Sequence, residues 1–229
     1  IMKSAPAPVA SSAAVRLFAA RNEYEPFIIV LRPGRRLDRV RVECGPLAGP
    51  GGALIDASRI AVCHVEYVKV SVPTDEAGAA GEWPDPLPPY DGPFTAWPGE
   101  NRPLWITVFV PEDAPAGEYG GRLVLSSGAW RLDVPVSLRV WDFGLPRDSH
   151  LRSSFGMPTD FLRLYHNLET KEELEKVADL YYQDLRSHRV APRNPMELYP
   201  MKVNVKGICW RGGEFTGESP HSGKRAVQA

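Results

Sequence analysis

No single sign of charge dominates this sequence. Its 27 basic and 28 acidic residues are interspersed and leave a formal net charge of −1. No basic stripe is available to neutralise phosphates, so nucleic acid is not an expected partner. Long apolar runs are also missing. None approaches the roughly 18 residues of a membrane span, and the opening IMKSAPAPVASSAAV lacks the compact apolar stretch of a signal peptide. A membrane is not an expected partner either, and because an export signal can lie upstream, the compartment stays open. Cysteine is scarce: Cys44, Cys63 and Cys209 form neither a CxxC motif nor a framework dense enough to staple a small secreted domain. They read as small buried hydrophobes, although Cys44 and Cys63 both fall on expected strands and an oxidised pair in an exported protein stays open. There is no GxSxG elbow, phosphate-cradling glycine loop or Cys-His nucleophile spacing, which leaves the common hydrolase and nucleotide chemistries unsupported.

What is present is enough apolar residue to build a core, 43% against 24% charged. The 23 prolines and 20 glycines fall between apolar runs and are densest at 81 to 103, GEWPDPLPPYDGPFTAWPGENRP, which reads as a long stiff loop. Between the breaks lie β-rich runs at 15 to 19, 24 to 32, 37 to 44, 60 to 70, 103 to 110 and 117 to 125. The clearest strand is AWRLDVPVSLRVW. Trp130, Leu132, Val134, Val136, Leu138 and Val140 share one face and Arg131, Asp133, Ser137 and Arg139 the other, with Pro135 pointing to an edge position. Seven such strands predict a mainly β fold, an antiparallel β-sandwich over 1–147.

After VWDFGLPRDSH the texture changes. LRSSFGM is a short strand candidate. A helix follows over about 170 to 187, opened by a Thr170 and Glu173 capping box, with Leu174, Val177, Ala178, Tyr181 and Leu185 on a face that must cover a sheet. RVAPRNP at 189 to 195 is the next strand, and strand, helix, strand implies a parallel pair. Residues 148–229 therefore read as the incomplete start of a (β/α)8 barrel, which needs roughly 250 residues. The final RGGEFTGESPHSGKRAVQA shows no period and reads as a disordered or artificial end, so the chain reads as a fragment.

Five segments carry a family resemblance: ARNEYEPFIIVLRP, VEYVKVSVPTD, GEWPDPLPP, ENRPLWITVFVPEDAPAGEYGGRLVL and VWDFGLPRDSHLRSSFGM. Over most of positions 15 to 160 the chain resembles the N-terminal half of glycoside hydrolase family 123, the β-N-acetylgalactosaminidases, and of a related family fused to similar barrels. The resemblance implies a glycan substrate for the intact enzyme and a substrate-assisted retaining mechanism. In that mechanism the sugar's acetamido oxygen attacks the anomeric carbon, an Asp orients the acetamido group and the adjacent Glu protonates the leaving oxygen. It also implies that this pair lies on a later barrel strand, beyond this chain, and that the sandwich packs on the remainder of the barrel. The competing reading is a non-catalytic sandwich that binds carbohydrate or protein through the 81 to 103 loop.

No catalytic residue is therefore expected within the chain. Asp75–Glu76 and Glu112–Asp113 read as solvated loop acids, placed in the sandwich before the barrel begins. Trp83, Tyr90 and Trp97 read as packing residues, with stacking on a sugar as the alternative. Trp105 and Trp141 read as core. His64 has no second histidine at ligand spacing and reads as structural, so neither a metal nor a cofactor is expected. The remaining site candidates are Arg193 and Asn194 at the C-terminal end of the second barrel strand, where barrels build their active sites, against the alternative of a scaffold ion pair. His188 lies beside that strand, and Gly156 and Met157 would only shape the pocket floor.

Overall fold

The computed structural model describes residues 1–6, 14–148, 150–151, 153–193, 198, 210–211 and 214–215. The chain divides into two compact units, Ile1–Arg147 and Asp148–Ala229.

The first unit is built from β1 (Val15–Arg21), β2 (Glu23–Leu31), β3 (Leu37–Cys44), β4 (Leu47–Ala48), β5 (Leu54–Ile55) and β6 (Ile60–His64). It continues with β7 (Tyr67–Val70), β8 (Gly81–Pro84), β9 (Phe94–Ala96), β10 (Arg102–Val110), β11 (Gly117–Ser127) and β12 (Trp130–Gly144). One sheet runs β1-β12-β11-β3-β9, with β4 on β11 and β5 on β4; a second runs β2-β10-β6, and β7 pairs with β8. Alternation decides what is buried. Val134, Val136, Leu138 and Val140 of β12 share a core with Tyr119, Leu123 and Leu125 of β11 and with Leu104, Ile106, Val108 and Val110 of β10. Both sheets thus contribute to one apolar cluster, and each fully buried aliphatic side chain adds about 1.5–3 kcal/mol.

Two features depart from the expected antiparallel sandwich with Pro135 at an edge. β1 runs parallel to β12, with Val15 opposite Val136 and a register shift between Ala19 and Arg21. It does so because one extended stretch serves both sheets: β1 ends, Asn22 turns with φ 60, and β2 enters the other sheet. Asparagine tolerates this left-handed conformation better than most residues with a Cβ. Second, β12 is an interior strand from Val136 onward. Among the described residues, Trp130–Pro135 is paired only with β11, so Pro135 sits on a locally open side rather than on an edge strand.

The PAGEY turn also acquires a cause. Tyr119 is fully buried and its hydroxyl donates to the Pro115 carbonyl at 2.9 Å, which folds the turn back on the start of β11. A Tyr hydroxyl bonded to backbone a few residues upstream is a recurring corner of Greek-key sandwiches.

The stretch 81 to 103 is less of a loop than its prolines predict. It contains β8 and β9, and its carbonyls serve the end of β6 and the residues after it: His64 N–H donates to Pro88 O at 2.9 Å and Glu66 N–H to Pro86 O at 2.9 Å. Proline lacks a donor but keeps an acceptor. The expected strand 60 to 70 breaks at Val65–Glu66, where Val65 N–H donates to Pro103 O of β10 at 3.3 Å and the flanking His64 and Glu66 donate to the proline-rich segment. Trp141 is not core. It lies one residue out of phase with the inward face of β12, is 42% exposed, and stacks on Phe18 at 6.0 Å. Trp105 is half-buried and its indole N–H donates to Thr107 Oγ1 at 3.1 Å.

The second unit contains α1 (Thr159–His166) and α2 (Lys171–Ser187). The capping box forms: Thr170 Oγ1 accepts from Glu173 N–H at 3.2 Å, and the Glu173 carboxylate accepts from Thr170 N–H at 3.0 Å. Leu174 and Ala178 are buried as expected, but among the described residues they pack against Leu162 of α1 and against Leu198 rather than a sheet, and Tyr181 is exposed. Among the described residues the two expected strands are represented by a single parallel bridge, Phe155 to Pro192. In the expected irregular end, β13 (Trp210–Arg211) pairs antiparallel with β14 (Glu214–Phe215). The rest of that segment and Cys209 lie outside the described residues.

Candidate functional site

A polar and aromatic cluster of the first unit gathers where β6 ends, β10 begins and residues 1–6 cross between them. His64 is buried, with its ring 5.4 Å from that of Tyr90 and 5.2 Å from that of Phe94. Arg102 opens β10. Its Nη2 donates to Glu66 Oε1 at 2.8 Å and lies 3.5 Å from His64 Nδ1, and its guanidinium stands 5.4 Å from the Phe94 ring centre. Burial, followed by the positive charge of Arg102, lowers the His64 pKa, so the imidazole favours its neutral form. Burial raises the Tyr67 pKa, with Arg102 opposing it.

Asn101 fixes the segment that crosses this cluster. It is only 4% exposed. Its backbone N–H donates to Lys3 O at 2.8 Å, its side-chain amide donates to Met2 O and Ala5 O at 2.9 and 2.8 Å, and its Oδ1 accepts from Arg32 at 3.1 Å. Tyr67 Oη donates to Ile1 O at 2.8 Å. The result is a cavity of about 270 Å³ walled in part by Tyr67, Phe94, Trp97, Glu100, Arg102 and Lys3. Trp97 is half exposed and carries the Arg36 guanidinium 4.6 Å from its ring centre.

The three aromatics of the proline-rich segment therefore separate. Tyr90 is a packing residue whose hydroxyl accepts from Val42 N–H at 3.2 Å. Trp83 is held by a hydrogen bond from its indole to Ala79 O at 2.8 Å, and only Trp97 of the three lines the cavity. Nothing in the sequence singles out Asn101, Arg102, Glu66 or Lys3, although ENRP is part of one of the segments carrying the resemblance. Their partners lie 36 to 99 residues away, and no local pattern announces such pairs.

One acid of each pair is engaged locally. Asp75 Oδ1 accepts from Ala77 N–H and Gly78 N–H at 3.0 and 2.9 Å, an Asx turn. Glu112 Oε2 accepts from Arg147 Nε and Nη2 at 3.0 and 2.8 Å, at the wall of an open cleft of about 620 Å³ that Asn22, Arg59 and Phe109 also line. Among the described residues no group of three or more His, Cys, Asp or Glu comes together to hold a metal, and Cys44 and Cys63 are free thiols. Arg193 is exposed, and its backbone N–H donates to Phe155 O at 2.7 Å; Asn194 lies outside the described residues. His188 faces Asp184 at 3.5 Å, and Met157 packs against the α1–α2 cluster.

No protein-family model and no curated protein matches the chain. In fold it is similar to a family 123 glycoside hydrolase from Clostridium perfringens, studied for glycolipid glycan hydrolysis, with a TM-score of 0.63 and 16% identity over 79% of this chain. The chain spans 33% of that protein. Weaker likenesses are to an endo-fucoidan hydrolase of glycoside hydrolase family 107, with TM-score 0.24, 12% identity and coverage of 57% of this chain and 13% of that one. A human PapD-like domain has TM-score 0.28 and 8% identity, with coverage of 62% of this chain and 95% of that one.

Proposed function

We propose that this chain is the N-terminal portion of a family 123-like glycoside hydrolase. In this reading residues 1–147 are an accessory two-sheet sandwich and residues 148–229 open a (β/α)8 barrel. The intact protein removes terminal β-linked N-acetylgalactosamine by the substrate-assisted route, and the chain alone is inactive. One observation carries the reading: the structural likeness to the Clostridium perfringens enzyme covers 79% of the chain, more than the 147 residues of the first unit.

The acids support a non-catalytic role for the first unit. Asp75 caps a turn and Glu112 is held by Arg147, so each pair has one acid committed to a local structural role. The catalytic Asp-Glu pair belongs to a later barrel strand, the barrel remainder is the partner of the sandwich, and Arg193 and Asn194 face the substrate from an early strand. No cofactor or metal takes part in this route, in which the substrate supplies its own nucleophile.

The test is to read the gene past Ala229 and assay its full product on an aryl β-N-acetylgalactosaminide. Release of the aglycone by the full product, abolished when the Asp-Glu pair is changed and absent from the purified 229-residue chain, is the expected result. An inert full product, or robust release by the chain alone, overturns the proposal.

A further inference from the structure

We infer that the cavity beside Trp97 is a non-catalytic binding site for a single neutral sugar residue. The charges argue for neutrality. Its two cationic side chains are already matched, Lys3 with Glu100 at 3.4 Å and Arg102 with Glu66 at 2.8 Å, so an anionic ligand would find no unbalanced positive charge. Of these pairs Lys3, Glu100 and Arg102 line the opening, two donors beside an acceptor. A pyranose ring asks for this combination, because each hydroxyl both donates and accepts.

The aromatic wall supplies the other half. Trp97 is 50% exposed, the most exposed tryptophan among the described residues. The Arg36 guanidinium 4.6 Å from its centre holds it in place, so little rotamer freedom is lost when the C–H face of a sugar covers it. At about 270 Å³ the cavity lies just under the ~300–1,000 Å³ of drug-sized sites, room for one ring and not for a chain of them. The frame is rigid. Asn101 spends its whole side-chain amide on the backbone of residues 2–5 and on Arg32. It is therefore a positioning residue that fixes Lys3 over the opening rather than a ligand contact.

The site is independent of the hydrolase reading, since it lies wholly in the first unit and needs no reaction. The purified 229-residue chain is titrated with the methyl glycosides of N-acetylgalactosamine, N-acetylglucosamine, galactose, glucose, mannose and glucuronic acid, read by saturation-transfer NMR and tryptophan fluorescence. At least one neutral glycoside should saturate with a dissociation constant on the order of 1 mM. Trp97→Ala should weaken it about tenfold or more while keeping the wild-type circular dichroism spectrum, and Trp83→Ala should not weaken it. Absence of saturation up to roughly 50 mM, loss with Trp83→Ala instead of Trp97→Ala, or preference for the glucuronide would each overturn the inference. Hydrolysis by the full product plays no part in these outcomes, so the two proposals fail separately.

Discussion

The side-chain amide of Asn22 donates to the carbonyl oxygen of Leu145 at 2.8 Å across 123 residues of chain, and Leu145 N–H donates to Arg21 O at 2.8 Å. This reciprocal pair explains why RNEYEP and VWDFGLP occur in one sequence. The first turns the chain from one sheet to the other, the second carries it out of the first unit, and the two are hydrogen-bonded at one corner. Glu23 closes the first turn by accepting from Ala20 N–H.

Asn22→Ala should destabilise the first unit by about 1–3 kcal/mol, from left-handed strain and a lost hydrogen bond. Asn22→Gly restores the backbone freedom but not the bond and should recover about half. Urea midpoints of the three proteins check this, and equal midpoints for the alanine variant and wild type would refute it.

Gly121→Ala should be more damaging than its exposure implies. A Cβ there would stand 2.7 Å from the backbone oxygen of Pro46, so β11 and the segment before β4 cannot both stay in place. A loss of about 1–3 kcal/mol is expected, read from thermal unfolding. Gly120→Ala, with nothing within 4 Å of its Cβ, should be far milder.

Acidification across the ordinary histidine range should cost stability because of His64. Its folded pKa is lowered by burial and by Arg102, with Glu66 and Asp91 opposing. As pH falls below about 6.5 the unfolded chain binds a proton here before the folded chain does, so the folded state loses stability until pH passes the folded value. Urea midpoints between about pH 7.5 and 5.5 should decline less steeply in His64→Gln. Parallel declines would sink the assignment.

Cys44 should be nearly inert in the native protein. Burial pushes its thiol up to about 11, leaving roughly one thiolate in a thousand at pH 8. Iodoacetamide at that pH should label Cys44 only after denaturation, as read by peptide mass spectrometry.

Thr170→Ala should fray the start of α2 at a cost of about 1 kcal/mol, seen as faster amide exchange through its first turn. The Glu173 carboxylate is held below its ordinary pKa by hydrogen bonds from Thr170 and Glu169. Its contribution is therefore present at neutral pH and lost as acid carries the solution through the folded value, and the protection factor of the Thr170 amide, its rate relative to an unstructured peptide at the same pH, should fall over that descent.

Where local chemistry is decisive, the structure is legible in the sequence. The two-residue period of β12 and the Thr170–Glu173 box both predict what forms, and that same period places Trp141 on the outer face with Arg139, against the reading of tryptophan as core. Strands β8 and β9 are hidden because three or four residues among prolines carry no period. Helix α1 is hidden because eight residues bury only Thr159 and Leu162. The cavity is the least visible part. Trp97 stands out in the sequence as an aromatic in a proline-rich stretch, but Asn101 and Arg102 matter through partners that only the fold brings near.

The parallel pairing of β1 with β12 has a temporal side. Strand β1 leaves the ribosome long before its partner residues at 136–144, and at roughly 5–20 residues per second it waits about 6–25 s for them. During that interval Leu17 and Ala19 have no sheet to enter, so closure of the first unit is a late event governed by one long loop, and folding should be slow for a domain of this size.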